Sequence, residues 1–242
     1  MSGHSHWSSI KHQKGVADAK RSQAFSKVTR VIILAAKQGG DPNTNSKLKM
    51  AMEQARKVNM PNDNIERAIK KGLGETEGEI FEEIVLEAYG PSGTALIIEC
   101  ITDNRNRTIN EIKSVLSQNV SKLASEGSVK WMFDRKGVIV ASLKAQKPDT
   151  TKDAIELEVI DQGAENLSWN DELIEIYTKP EELEKIKKGL EEKGIVIESA
   201  SLDWVAKEII NAGEREKETI EKIFEALDDN DAVQEVYSNL GS

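Results

Sequence analysis

GVIVASLKAQKPDTTKDAIELEVIDQGAENLSWNDELIEIYTKPEELEKIKKGLEEKGIVIESASL, residues 137–202, decides the architecture. GVIVASL alternates as a strand, and apolar spacing near four predicts a helix from Thr151 to Gln162. A strand follows near Ala164–Trp169, then the strand ELIEIYT, a helix over Pro180–Lys193 and the strand GIVIESA. The order β-α-β-β-α-β is that of a ferredoxin-like unit. Outside it, the tail offers a strand near Leu202–Ile210, a helix over Glu214–Leu227 and the strand AVQEVYS, and is incomplete alone. Joined to a strand at 94–102, a helix at 106–118 and a strand at 128–133, it makes a second unit of the same order. Residues 137–202 are therefore expected to be inserted into that second unit.

Upstream, IFEEIVLEAY and GTALIIECIT read as strands joined by the turn Gly90–Gly93. The first 75 residues have a helical period instead. A helix from about Ala17 to Lys37 stops at Gly39-Gly40 and Asp41-Pro42. Asn45 caps a second helix with Leu48, Ala51, Met52, Ala55 and Val58 on one stripe, and Pro61 ends it. Asn62 is expected to cap a third helix that Gly72 closes. The bundle is poor in apolar bulk and is expected to lean on the rest of the chain. GLGETEGE, residues 72–79, reads as a linker. The expected fold is α+β and multidomain. Residues 1–75 form a basic three-helix head with an N-terminal arm. Residues 80–135 with 203–240 form a middle lobe, and residues 137–202 an inserted one.

Charge is segregated along the chain. The 242 residues carry 33 Lys+Arg against 42 Asp+Glu, a net of −9. Residues 1–71 hold 14 Lys+Arg against five acids, a surplus of nine cations. The remaining residues hold 19 against 37, a net of −18. A basic head on an acidic body suits a polyanion at one end only. On a helical wheel Phe25, Val28, Ile32 and Ala36 share one side of the first helix, with Lys27, Arg30 and Lys37 roughly opposite and Lys20 not far off. That basic side is expected to face a phosphate backbone, with Lys11, Lys14 and Arg21 adding cations. The arm before residue 16 holds all three histidines, with no carboxylate or cysteine nearby to complete a metal site. No metal or cofactor is expected. No phosphate loop, nucleophile elbow or Cys/His couple is present, so catalysis is not expected either. No apolar run approaches the roughly 20 residues that span a bilayer. Cys100, the one cysteine, sits in ALIIECI and reads as a buried strand thiol. A reducing cytoplasm is the expected location. Trp131, Trp169 and Trp204 are expected in the core.

The segments GHSHWSSIKHQKGVADAKRSQAFSKVTRVI, AAKQGGDP, NMPNDNIERAIKKG, YGPSGTALIIE, TDNRNRT and GSVKWMFDRKG resemble the YebC family in order and spacing. The resemblance is specific over residues 3–137 and one of pattern beyond. It implies the same three-lobed fold. It also implies a DNA-binding transcriptional regulator of the PmpR type. For other members, such as the mitochondrial translational activator of cytochrome c oxidase, it implies a translation factor on the ribosome and its RNA that relieves stalling at proline-rich stretches. The chain departs from the family in four places: Ser22-Gln23 for Gly-Lys, Val31 for Glu, Val120-Ser121 for Gly-Gly and Ala206 for Pro.

One motif stays open between two readings. In TDNRNRT (Thr102–Thr108), Arg105 and Arg107 at a helix start could hold a phosphate. Alternatively the segment is an internal turn in which Asp103 pairs an arginine and Asn106 or Thr108 caps. YGPSG reads as a turn.

Overall fold

A computed structural model describes residues 18–76, 78–147 and 150–241, with side chains from Arg21 onward. Its helices are α1 (Asp18–Ala36), α2 (Ser46–Lys57), α3 (Asn62–Gly72), α4 (Arg105–Gln118), α5 (Lys152–Asp161), α6 (Leu183–Glu192) and α7 (Glu214–Asp228). Its strands are β1 (Glu82–Tyr89), β2 (Ala95–Thr102), β3 (Lys122–Leu123), β4 (Phe133–Ser142), β5 (Asn166–Asn170), β6 (Leu173–Thr178), β7 (Ile197–Ala206) and β8 (Val233–Ser238). The fold is α+β with two antiparallel sheets, as expected. The chain divides into two units, one holding residues 131–211 and the other the helical head with the remaining strands and helices.

In the head, Asn45 does two jobs at once. Its Oδ1 accepts from Leu48 N (3.1 Å) as the cap of α2, and its Nδ2 donates to Ala35 O (2.8 Å) and Gly39 O (2.7 Å). One buried side chain thus satisfies the end of one helix and the start of the next. The stripe Leu48, Ala51 and Ala55 of α2, with Ile65 and Ala68 of α3, packs on Ile32, Ile33, Ala35 and Ala36 of α1. Phe81 and Ile101 from the following lobe belong to the same cluster, so the head shares its core, as its shortage of apolar bulk required. α3 ends at Gly72 as expected, although it starts at Asn62 after Pro61 with no side-chain cap, and Gly72 has a second role. A Cβ there would collide with Ile33 O and lie 2.6 Å from Ala36 Cβ, so glycine lets α3 touch the backbone of α1. The left-handed closure falls at Gly74 (φ 77°), with Glu75 N donating to Lys70 O (3.1 Å).

The middle lobe has sheet order β3-β1-β2-β8, and its central strand β2 is buried almost throughout. Its strand set differs from the sequence expectation. β1 belongs to this sheet, and residues 128–133 are not a strand of it: Lys130–Met132 is a 3₁₀ turn. The cause is Glu87, whose Oε1 accepts from Gly127 N (2.6 Å) and whose Oε2 accepts from Val129 N (2.6 Å) and Lys130 N (2.9 Å). A carboxylate takes the N–H groups that a neighbouring strand would need. The strand expected near 202–210 is the second half of β7 instead, which pairs with β4 as far as Phe133↔Ala206.

The inserted unit has order β5-β6-β4-β7, the ferredoxin-like arrangement expected from its period. Thr151 Oγ1 caps α5 by accepting from Ala154 N (3.2 Å). Asp171 (φ 52°) turns β5 into β6. Ile139, Ile155, Val159, Ile174, Ile176, Ile186 and Leu190 fill the space between helices and sheet.

Candidate nucleic-acid interface

The polar side of α1 is not a free solvent face as the wheel suggested: Lys27 is buried, Arg30 is half-buried, and Lys37, though exposed, is hydrogen-bonded within the protein. Lys27 is only 8% exposed, and its Nζ lies 2.7 Å from both Asp228 Oδ1 and Asp228 O. Gln23 Nε2 donates to the same carbonyl at 2.5 Å. Arg30 Nη1 donates to Ile101 O (3.1 Å) while its guanidinium lies 5.5 Å from the Phe81 ring centroid. Lys37 Nζ donates to Phe81 O (2.6 Å). Residues 23, 27, 30 and 37 thus dock α1 on the middle lobe through main-chain carbonyls and one carboxylate. The physical reason is at the end of α7, where Asp228 adds a charge to the negative pole of the helix and a cation is the fitting neighbour. A wheel drawn for α1 alone cannot reveal a partner 201 positions away.

Of the other expected cations, Lys11 and Lys14 lie outside the described residues, as does the side chain of Lys20. Arg21 is exposed, 5.6 Å from the Phe25 ring centroid. Arg105 is exposed at the start of α4. Arg107 pairs with Asp103 (2.5 Å) and approaches Glu111 (4.0 Å). The TDNRNRT segment forms an internal turn. Asn104 caps α4 through Arg107 N (3.1 Å), Asn104 N donates to Thr102 Oγ1 (2.9 Å), and the hydroxyls of Thr102 and Thr108 are 2.8 Å apart. The cap falls on Asn104, not on Asn106 or Thr108. An open cleft of about 350 Å³ lies beside this turn, and Arg30, Arg107, Glu111, Asp229 and Asp231 give it mixed charge.

The outward side of α2 carries a second set of cations that the wheel of α1 does not include. Lys49, Arg56 and Lys57 are exposed and project away from the stripe Leu48, Ala51 and Ala55, with Glu53 among them. The signal for them is that helix's own periodicity, which sets these residues opposite its apolar stripe.

Two titrating groups are held away from their ordinary values. Burial would push Glu87 up, yet the three backbone N–H groups and the Lys130 charge outweigh it and hold the carboxyl below the usual range. Burial, with the Glu99 charge, pushes the Cys100 thiol up to about 12, and the residue is fully buried as expected. Trp131 contradicts the core expectation, since it is 65% exposed. Trp169 is half-buried and donates to Glu156 Oε1 (2.6 Å), and half-buried Trp204 carries the Arg135 guanidinium 5.1 Å from its ring centroid. No described helix is long and apolar enough to cross a membrane.

A basic helical head on a two-lobed α+β body defines a known class of protein. Residues 5–75 match the TACO1/YebC protein N-terminal domain, and residues 81–240 match the TACO1/YebC second and third domain. The chain belongs to the TACO1/YebC family. A "probable transcriptional regulatory protein" of Halothermothrix orenii is 46% identical over 241 residues, covering 99% of this chain and 94% of that one. One of the same description from Bacillus licheniformis is 44% identical over 241 residues, covering 99% and 100%. Among solved structures, a conserved hypothetical protein of Aquifex aeolicus superposes with a TM-score of 0.88 at 41% identity, covering 98% of this chain and 97% of that one.

Proposed function

We propose that this chain is a nucleic-acid-binding regulator of gene expression that meets the phosphate backbone with its helical head. The observation that carries the reading is charge segregation: nine surplus cations within residues 1–71 against a net of −18 elsewhere. The acidic body repels a polyanion and orients the head toward it. Lys27, Arg30 and Lys37 are engaged with the middle lobe, so the contacts are assigned to Lys49, Arg56 and Lys57 of α2 with Arg21, joined by Lys11, Lys14 and Lys20. Arg105 is a further exposed cation on the middle lobe. Such contacts position a backbone and do not read bases. Duplex DNA is the first target to test, because the relatives are described as transcriptional regulators.

The experiment is a salt titration of duplex binding by the full chain and by Lys49→Gln/Arg56→Gln/Lys57→Gln. Loss of three phosphate contacts flattens the log–log slope by roughly 2 to 3 units, similarly for unrelated sequences. An unchanged slope removes α2 from the interface. Preference for RNA, with co-sedimentation on ribosomes at low salt, would favour the translation role that the family resemblance also implies.

A further inference from the structure

Opposite charges line the cleft beside the TDNRNRT turn without meeting. Its walls are Arg30 of α1, the first turns of α4 and the loop from α7 to β8. Each wall is held from behind. The Arg30 guanidinium is fixed by Ile101 O (3.1 Å) and lies 5.5 Å from the Phe81 ring centroid, yet it has no carboxylate partner among the described residues. On α4, Arg107 is neutralised by Asp103 (2.5 Å). Glu111 Oε2 accepts from Asn230 Nδ2 (2.8 Å), and Asn230 Oδ1 accepts from Ala232 N (2.8 Å), which ties the loop to α4. Ile101 N donates to Ala232 O (2.8 Å) and joins the same loop to β2. Between these anchors stand Asp229 and Asp231. Both are exposed, and neither side chain makes an ion pair or hydrogen bond with any described residue.

The geometry points to a binding site for a small zwitterion, a basic α-amino acid, with its carboxylate on Arg30 and its ammonium groups on Asp229 and Asp231. A half-buried cation and two carboxylates that share a cleft without pairing leave a gap, and a ligand carrying both charges bridges it. Arg30 and Arg107 stand against Glu111, Asp229 and Asp231, so a ligand of net charge +1 balances the site. The same acidic excess repels a phosphate chain, which separates this cleft from the α2 interface. Its volume of about 350 Å³ falls within the roughly 300–1,000 Å³ of small-molecule clefts. The inference goes beyond the nucleic-acid reading and stands without it.

The full chain is titrated calorimetrically with L-lysine at matched ionic strength, beside cadaverine, which lacks the carboxylate, and L-norleucine, which lacks the side-chain ammonium. L-Lysine should bind saturably. Cadaverine should bind roughly tenfold or more weakly, having lost a charge-assisted hydrogen bond to a half-buried guanidinium. L-Norleucine keeps that contact but loses one at an exposed carboxylate, so its affinity should fall by up to about fivefold. Asp229→Asn/Asp231→Asn should weaken L-lysine binding by roughly 5- to 25-fold. The analogue series needs no substitution, so it decides the matter even if the double variant folds poorly. Equal binding of cadaverine and L-lysine would reduce the cleft to an acidic patch and overturn the site. An undiminished affinity in the folded double variant, or no saturable binding of L-lysine, would overturn it too. Duplex binding by the same full chain reports on the head separately, and its failure would remove the nucleic-acid reading alone.

Discussion

Replacing Lys27 with Met separates docking from phosphate binding. The ammonium lies 2.7 Å from both the carboxylate and the carbonyl of Asp228, with side-chain exposures of 10% and 24%. Removing one partner of a fully buried pair costs about 3–5 kcal/mol. Here Asp228 keeps some contact with water and Gln23 still serves its carbonyl, so the expected loss is about 2–3 kcal/mol. For a chain of this size each kcal/mol moves the melting midpoint by roughly 2–4 °C, giving a fall of about 4–12 °C by calorimetry. Asp228→Asn alone should destabilise, and adding it to Lys27→Met should cost less than the two separate losses together. The salt slope for duplex DNA should not change. An unaltered melt together with a slope flattened by about one unit would refute the docking role and return Lys27 to the phosphate interface.

Two further outcomes follow from strained or buried groups. Val120, 85% exposed at φ 54°, occupies the left-handed closing position of α4, where Ser121 N donates to Leu116 O (2.9 Å). A β-branched residue is poorly suited to that conformation, so Val120→Gly should raise stability by about 1 kcal/mol in urea titration; a loss would show that the turn is not strained. Glu87 has its folded pKa below the unfolded value, so its contribution is fully present above the ordinary carboxyl range and is lost as pH falls through the folded value. Glu87→Gln should cost about 1–3 kcal/mol at pH 7 and show a weaker decline of stability below pH 4.5; equal declines would mean that Glu87 does not titrate with folding.

What the sequence made legible was local and periodic. The head's helices, the Asn45 cap, the turn at Gly90–Gly93 and the inserted unit could all be read from spacing and punctuation. The fate of a polar side chain could not, because it depends on what arrives from far along the chain. Lys27 reads as a phosphate ligand until Asp228 is placed beside it. Likewise SVKWMF reads as a strand until a carboxylate 40 to 43 residues earlier takes the N–H groups of Gly127, Val129 and Lys130. Trp131 followed the same error, since alternation says inward and the turn says outward. The α2 cations are legible in the period of their own helix, opposite Leu48, Ala51 and Ala55.

The bond between α1 and the end of α7 also sets an order of events during synthesis. The apolar side of α1 can meet α2 and α3 as soon as residue 72 has emerged. Its polar side has no partner at Asp228 until about 190 further residues beyond α1 have been made, roughly 10–40 s at ordinary elongation rates. Strand β2 likewise waits for β8, its neighbour in the finished sheet. For most of its synthesis the nascent chain therefore presents Lys27 without its carboxylate, whereas Arg30 and Lys37 can reach the carbonyls of Ile101 and Phe81 much sooner.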